Sequence, residues 1–465
     1  MKSFFKKPFL LILITQIALY SRSIGIYFSA DDWFHLRVSQ INTITEFLKF
    51  FSFERNAQTI SFYRPLSTQV FFFTLQKLFG LNPVPYHLFV TLCFCLSLYL
   101  AYKSILLLSN SKRTAIFSVI IYGFSVSNFT RLYFLSAFQE IALVILSLLC
   151  LISHIENRKN RALLFFILAL TSKETAVIIP ILILITDWFK KRVKLSNYLP
   201  YFIILLPYLY LRFHVFGTTT GDSYSWNFSP LKALNTFSWY SLWSIGAPEL
   251  LVDYIGSGFR PIPRFFTDFV IWWPFIIFPL LILIVLSLYL FFKYYGKSSR
   301  DFVFGLLFFL ASLSPVLFLP THKFTLELGL PLIGFSMAIF SLFTRTNKIT
   351  YIFLFVYIFY NLSMNYLTYT THYSVNRAKV SQKIYKYFLK KYPTEPIGSY
   401  FEFINDTTAY TKEWGSSKQI ANSIGESELF RVIYHDSQYQ VFFEDIPGNR
   451  PPEQRIPISS KMFLE

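Results

Sequence analysis

Two adjacent carboxylates, Asp31 and Asp32, follow the first long apolar run of the chain, within the segment SADDWFH at residues 29–35. Acids beside apolar runs are uncommon because their charge must be solvated or paired. A positioned carboxylate can accept the proton of an attacking hydroxyl, so both residues are candidates for a catalytic base. The simpler interpretation is a helix N-cap, with one carboxylate binding free backbone amides. His35 and Tyr63 are accessory candidates. A divalent metal is chemically conceivable at Asp-Asp-His, but these residues alone are no metal signature, so we predict no metal site and no cofactor.

Cationic residues occur at the ends of other apolar runs. Arg64, after Tyr63, carries a planar guanidinium that could bind a phosphate or anchor the chain at the membrane interface. Lys173 and Glu174 interrupt the apolar run of residues 162–189, where the simpler interpretation is an ion pair between helices. The remaining candidates, which are expected on the same side of the membrane, are Arg131, Glu140 and Lys323. Acids and several cations at one end of apolar helices suit a cavity for a lipid-linked phosphate.

The composition predicts a protein whose main solvent is lipid. Of the 465 residues 54% are hydrophobic and 15% are charged, whereas soluble domains carry roughly 25% charged residues. The net charge of +18 comes from basic residues in short loops between apolar runs, which fits membrane topology and excludes nucleic acid as a partner. The three cysteines lie inside apolar runs and are interpreted as small buried hydrophobes.

The apolar runs predict an all-α, multi-pass membrane protein with about eleven transmembrane helices. The first helix ends near Phe28, and the lysines ahead of it keep the N-terminus cytoplasmic. The transmembrane domain spans residues 1–365 with external loops at 29–85 and 217–266. The stretch 234–250 is predicted to be interfacial, because an extra crossing would place a later basic cluster outside.

The run 162–189 has basic clusters on both sides, so both of its ends are expected in the cytoplasm and the run must be a hairpin. Its polar break is Thr171-Ser172-Lys173-Glu174. The first leg of about eleven residues reaches only about 16 Å, half the hydrocarbon thickness. Lys173 and Glu174 are therefore expected below the outer surface, in a cavity lined by protein or water.

From residue 366 to 465 the apolar runs shorten, and the composition predicts a small external α/β domain. A helical pattern covers 375–390, strand-like pieces cover 430–434 and 439–443, and the stretch IPGNRPPEQRIP is expected to be irregular.

Four pieces of sequence together are similar to one known group of proteins. They are ADDWFH after the first helix, FYRPLSTQVFFFTLQKLFGLNPVPYHL before the second, FLSAFQE before the fourth, and SKETAVIIP at the hairpin break. With these pieces, roughly residues 5–345 resemble the membrane glycosyltransferases of the C-type fold (GT-C), specifically the protein O-mannosyltransferases and their bacterial relatives. The C-terminal domain lacks the helical repeats of the animal members, so the resemblance does not extend to acceptor recognition.

The resemblance implies a glycosyltransferase with a polyprenyl-phosphate-linked sugar donor, an acceptor lipid, glycan or protein, and inversion at the sugar carbon. The acid of the first loop acts as base in that family and matches Asp31, with Asp32 beside it where the protein mannosyltransferases have Glu. Lys173, Glu174 and Glu140 match cavity positions of the family, and Lys323 matches a late basic position with altered spacing.

Other classes of membrane protein remain as alternatives. A flippase or transporter of lipid-linked saccharides would carry charges inside several helices and symmetry between its halves, and the sequence shows neither. A polysaccharide polymerase would not need an acidic motif directly after its first helix. A non-enzymatic receptor or scaffold is the third alternative. The expected location is the cell inner (plasma) membrane, with the C-terminal domain outside.

Overall fold

The computed structural model describes residues 6–54, 62–217, 224–343, 348–396, 399–405, 415–447 and 454–464. The first ten helices are α1 (Lys6–Tyr20), α2 (Asp31–Val38), α3 (Ile44–Lys49), α4 (Phe71–Phe79), α5 (Pro83–Ser109), α6 (Lys112–Phe124), α7 (Phe129–Tyr133), α8 (Phe138–Ile155), α9 (Lys159–Leu170) and α10 (Ile179–Phe189). The next ten are α11 (Leu199–Leu211), α12 (Pro230–Ile245), α13 (Pro263–Asp268), α14 (Trp273–Leu317), α15 (Pro331–Ser341), α16 (Lys348–Thr371), α17 (Tyr373–Lys391), α18 (Ser416–Ile424), α19 (Glu428–Tyr434) and α20 (Lys461–Leu464). The strands are β1 (Ser399–Ile404), β2 (Phe442–Phe443) and β3 (Gln454–Ser459).

Apolar helices dominate the part of the chain before the small C-terminal domain. In the described residues, six helices are long and apolar enough to cross a membrane, and the bent pair Lys112–Phe124 and Val126–Tyr133 would make a seventh. Shorter apolar helices cover Phe9–Gly25 and Pro331–Ser341. Each segment predicted to cross contains helix, which confirms the all-α membrane architecture, whereas the number of eleven crossings stays a prediction.

Helix α14 is folded back on itself. The rings of Phe291 and Phe302 lie 5.4 Å apart, whereas this separation in sequence corresponds to a rise of about 16 Å in a straight helix. Its two legs are the apolar spans Trp273–Tyr294 and Arg300–Leu317. This hairpin corresponds to the two neighbouring crossings predicted from the apolar runs.

The second leg of α14 packs closely against α15. A Cβ built on Gly305 would lie 2.6 Å from the backbone nitrogen of Ala338, and one on Gly334 would lie 2.6 Å from that of Phe309. Small residues let two helices approach this closely in a membrane, where packing drives their association. The 3₁₀ turn Thr325–Leu328 lies between these two helices in the chain, shortly before α15.

Helices α9 and α10 form the hairpin predicted for residues 162–189, with a break between Leu170 and the 3₁₀ turn Glu174–Ile178. Near the end of α10, Asp187 lies 3.0 Å from His154, near the end of α8. The end of α10 therefore lies at the same end of the helix bundle as the start of α9. The 12 residues of α9 rise about 18 Å, little more than half of a hydrocarbon layer. Lys173 follows this short leg and is buried.

The C-terminal domain is an α/β unit built on a parallel sheet in the order β2-β1-β3. Phe401 and Phe403 of β1 are buried, and the ring of Phe401 meets that of Phe388 of α17 at 4.7 Å. Helix α17 confirms the helical pattern predicted at 375–390.

Two local predictions for this domain are wrong. Residues 430–434 are helical and form the C-terminal part of α19. In this helix, Glu428 and Arg431 form an ion pair one turn apart. Part of the stretch expected to be irregular is strand β3, which pairs with β1 from Gln454 to Ser459. In β3 the pairing with β1 overrode the local sequence preference, whereas in α19 a local ion pair favours the helix.

The C-terminal domain lies directly on α2, at the level of the acidic motif. Arg37 of α2 forms an ion pair with Glu428 of α19. The indole Nε1 of Trp33 donates a 2.8 Å hydrogen bond to Ser381 Oγ of α17. Residues 31–38 and the C-terminal domain are therefore on the same side of the helix bundle.

Candidate functional site

A cavity of about 560 Å³ lies where α2, the hairpin break, the start of α8 and the turn before α15 meet. Both residues 31–69 and α17 contribute to its wall, so its lining comes from distant parts of the sequence. The lining residues are Asp31, Phe34, His35, Phe62, Arg64, Thr68, Gln69, Phe134, Ser136, Ala137, Gln139, Lys173, Tyr224, His322, Phe324, Leu326, Glu327 and Tyr373.

Asp31 is the accessible carboxylate of the acidic motif. It is the first residue of α2, and its side chain is exposed to the cavity. Within the described part of the chain, its carboxylate forms no ion pair or hydrogen bond. Burial of the site raises the pKa of the Asp31 carboxyl above its ordinary value, and the charges of Arg377 and Arg64 oppose the rise. A reachable, poorly hydrated carboxylate is suited to accept a proton.

Asp32 is oriented differently from its neighbour. Its side chain is 1% exposed, and its two oxygens accept hydrogen bonds from the backbone N–H of Ser29, at 3.0 Å, and from the backbone and hydroxyl of Ser136, at 2.8 and 2.6 Å. Burial raises the pKa of Asp32 to about 7, against these hydrogen bonds, which lower it. Asp32 thus joins the start of α2 to the turn before α8 and does not line the cavity.

His35 lines the cavity one helical turn after Asp31. Its ring stacks on that of Phe72, with centroids 5.3 Å apart. Burial, together with the charge of Arg64, lowers the pKa of His35 to about 3. The imidazole is therefore neutral at physiological pH and can only exchange hydrogen bonds with a ligand.

Arg64 and Glu174 form a two-point ion pair at the cavity. Arg64 Nε donates to Glu174 Oε2 at 2.7 Å, and Nη2 donates to Oε1. The guanidinium carbon lies 4.1 Å from the centroid of the Phe62 ring. Arg64 lines the cavity, so it presents a positive charge that Glu174 already orients.

Lys173 lies between two carboxylates at the hairpin break. Its Nζ forms ion pairs with Glu140 at the start of α8 and, at 2.7 Å, with Glu327 in the turn before α15. All three side chains are at least 93% buried. The ion pair of the simpler interpretation is therefore present, with partners from two other elements, and Lys173 also lines the cavity.

The other residues singled out from the sequence lie outside the cavity lining. Arg131 is buried and donates to Asn128 Oδ1 at 2.5 Å. Tyr63 is buried, stacks on Phe53 at 3.9 Å and donates to the carbonyl of Phe51. Lys323 Nζ donates to Asn235 Oδ1 at 3.1 Å, while the adjacent His322 lines the cavity.

Several lining residues carried no signal in the sequence. Glu327 is the clearest, because it completes the charge network of Lys173 and lies 3.7 Å from His322 Nε2. An isolated acid directly before an apolar helix was the only available hint of it. Tyr224, which stacks on His322 at 4.2 Å, and Tyr373, at the start of α17, belong to regions without a motif.

The described residues contain no group of three or more His, Cys, Asp or Glu side chains arranged to hold a metal ion. Asp32 accepts hydrogen bonds from Ser29 and Ser136, and it is not among the residues that line the cavity with Asp31 and His35. The acidic motif therefore supplies one free carboxylate to the cavity.

The charges of the cavity divide into one unpaired acid and two cations. Among the described carboxylates around it, Glu140, Glu174 and Glu327 are paired with Lys173 or Arg64. Asp31 is thus the carboxylate open to accept a proton, whereas Arg64 and Lys173 present cationic groups to the cavity that are already paired with three carboxylates. Such an arrangement can take a proton at one point and stabilise an anionic leaving group at another.

Comparisons with known proteins give a likeness to solved structures. No protein-family model matches the chain, and no curated protein matches it. Among solved structures, the chain is similar to the crystal structure of ArnT from Cupriavidus metallidurans bound to undecaprenyl phosphate. That match has 12% sequence identity and a TM-score of 0.37, and it covers 94% of this chain and 89% of that chain.

Proposed function

We propose that this protein is a membrane glycosyltransferase that moves a sugar from a polyprenyl-phosphate carrier to an acceptor hydroxyl at the external face of the membrane. The observation that carries the proposal is the free carboxylate of Asp31 in the same cavity as the cations Arg64 and Lys173. The four sequence pieces that resemble the GT-C glycosyltransferases include all three residues, and the structure brings those pieces together around one cavity.

Asp31 is the general base in this proposal. It takes the proton of the acceptor hydroxyl as the oxygen attacks the sugar carbon, a contribution of about 10²–10⁴-fold in rate. The bond between that carbon and the phosphate oxygen breaks on the opposite side, so the configuration inverts. The proton resides on Asp31, and the electron pair leaves with the polyprenyl phosphate.

The leaving group is an anion that needs positive charge and no proton. Arg64 offers a planar guanidinium at the cavity, and Lys173 an ammonium held by Glu140 and Glu327. Fixed cations at a water-poor site stabilise growing charge without reorganisation, which is worth roughly 3–4 kcal/mol for one such contact. A glycosidase would instead need two carboxylates flanking the bond, and the other carboxylates here are paired.

The direct test uses the purified protein in lipid nanodiscs with a polyprenyl phosphate that carries a radiolabelled sugar and a membrane extract as acceptor. We expect release of free polyprenyl phosphate together with labelled acceptor, and loss of both in Asp31→Asn. Asp436→Asn, on the surface of the C-terminal domain, is the control and should behave as wild type. Equal release by wild type and Asp31→Asn would refute the proposal.

A further inference from the structure

The residue before the proposed base has an unusual backbone conformation. Ala30 has φ 49° and ψ −121°, a combination that glycine adopts freely and residues with a Cβ adopt rarely. A conformation of this kind persists only where the surrounding structure imposes it, and such residues concentrate at functional sites. Because Ala30 and Asp31 share a peptide bond, the orientation of Asp31 depends on this conformation.

The C-terminal domain imposes that conformation. The N–H of Ala30 donates a 2.9 Å hydrogen bond to the carbonyl of Ser423, near the end of α18. Gly425 follows with φ 65°, and a Cβ built on it would lie 2.8 Å from the carbonyl oxygen of Ala30. The N–H and the carbonyl group of Ala30 are therefore both in contact with residues 423–425. Gly425 has no room for a side chain.

The same domain holds the rest of α2. Trp33 donates to Ser381 of α17 at 2.8 Å, and Arg37 pairs with Glu428 of α19. The charged ends of this second contact are 13% and 12% exposed, so the pair is largely desolvated and fixes one orientation of the helix. The contacts thus extend from the residue before Asp31 to the last turn of α2.

We propose that the C-terminal domain is a positioning element for the catalytic base, with Ser423 and Gly425 as its positioning residues. The domain holds Ala30 in a conformation that the loop would not keep alone, and thereby directs the Asp31 carboxylate into the cavity. This inference rests on the proposed function, because it assumes that Asp31 accepts the proton.

The test compares two glycine substitutions with the same backbone cost. Gly425→Ala places a Cβ against Ala30, while Gly258→Ala introduces the same left-handed strain at φ 70°, where no atom lies within 4 Å of the new Cβ. We expect Gly425→Ala to lower kcat about 10-fold to 100-fold, since misplacing a reacting group by about 1 Å has effects of this size. The KM for the donor should change little, because Arg64 and Lys173 lie outside the contact. Gly258→Ala should keep wild-type kcat.

A rescue variant separates positioning from general damage to the fold. Ala30→Gly lets the loop adopt the required conformation without strain, so the double variant Gly425→Ala/Ala30→Gly should regain much of the lost kcat. A merely unstable protein would not regain turnover per folded molecule through a change in the loop.

The outcomes distinguish this inference from the proposed function. If Asp31→Asn is inactive while Gly425→Ala and Gly258→Ala have equal kcat per folded molecule, the positioning role is refuted and the catalytic role stands. If Asp31→Asn retains full activity, the proposed function itself fails. Loss of kcat in Gly425→Ala that Ala30→Gly does not relieve would also overturn the positioning role.

Discussion

At the scale of single residues, two neighbouring aspartates have opposite surroundings. Asp31 is exposed to the cavity without a partner in the described part of the chain, while Asp32 is buried and accepts three hydrogen bonds from Ser29 and Ser136. The sequence made both candidates for the base, and it also allowed a structural role for either. The structure assigns the structural contacts to Asp32 and leaves Asp31 open to a ligand.

Asparagine substitutions at the two positions should therefore differ in kind. Asp31→Asn should keep the melting temperature and lose about 10²–10⁴-fold in turnover, because an amide cannot accept the proton. Asp32→Asn should destabilise the protein by about 1–3 kcal/mol, because its new NH₂ group replaces an acceptor between buried donors. Melting temperature and turnover per folded molecule, measured on the same preparations, check both. The same pattern in both variants would contradict the distinct roles.

The pH dependence follows from the raised pKa of Asp31. The base works only when it is deprotonated, so kcat/KM should fall as the pH drops through that pKa, above the range of about 3.9 of an ordinary aspartate. Arg377 lowers this pKa by its charge, so Arg377→Gln should move the acidic limb to higher pH. Measuring kcat/KM of wild type and Arg377→Gln over pH 4–8 tests this shift of the acidic limb. An unchanged limb would mean that another group controls the rate.

Residue identity alone could predict some members of the site and not others. Asp31, Arg64 and Lys173 stood out because charged residues beside apolar runs are costly and need a reason. Glu327 offered only a single isolated acid before an apolar helix and Tyr373 offered no charge at all, and the packing of distant elements brings both to the cavity. Lys323 was a candidate because it matched a late basic position of the family with altered spacing, but its side chain extends to Asn235, and the adjacent His322 lines the cavity.

At the scale of elements, the short hairpin α9–α10 determines the depth of Lys173. The break comes after 12 residues, and the ammonium then meets Glu140 and Glu327 from two other elements. Lys173 therefore joins three parts of the bundle and also lines the cavity. Its two roles should be separable by compensating substitutions.

Lys173→Met leaves two buried carboxylates without their partner, so stability should fall by about 3–5 kcal/mol. Adding Glu327→Gln removes one of the unpaired charges and should restore part of the melting temperature. Turnover per folded molecule should stay about a hundredfold low in both variants, since the cation for the leaving phosphate is absent. Recovery of turnover along with stability would show that Lys173 acts only in the fold.

Helices and strands were predicted correctly where charge and length constrain the chain. They were predicted wrongly where contacts with a partner element determine the secondary structure. The hairpin followed from basic residues on both flanks and from a polar break between two short apolar legs. Helix α19 and strand β3 were misassigned, because a few apolar residues fit either structure until a partner strand or helix is in place.

At the scale of the whole molecule, the C-terminal domain and α2 must be on the same side of the membrane, because they are in contact. In a variant with its three cysteines replaced, a cysteine at Ser437 should react with a membrane-impermeant maleimide in intact spheroplasts. A cysteine at Lys191, after α10, should react only after the membrane is opened. Both positions are exposed. Labelling of 191 from outside would refute the orientation of the hairpin and the external position of the cavity.

The contact between α2 and the C-terminal domain also sets the order in which the protein matures. Arg37 and Glu428 are 391 positions apart, so a ribosome that adds about 5–20 residues per second needs roughly 20–80 s to travel from one to the other. During that interval, the loop with Asp31 has been made, and the residues that hold it have not. Under the proposed function, a nascent chain has no positioned base at that stage, and we expect turnover to begin only after the C-terminal domain has folded back onto α2.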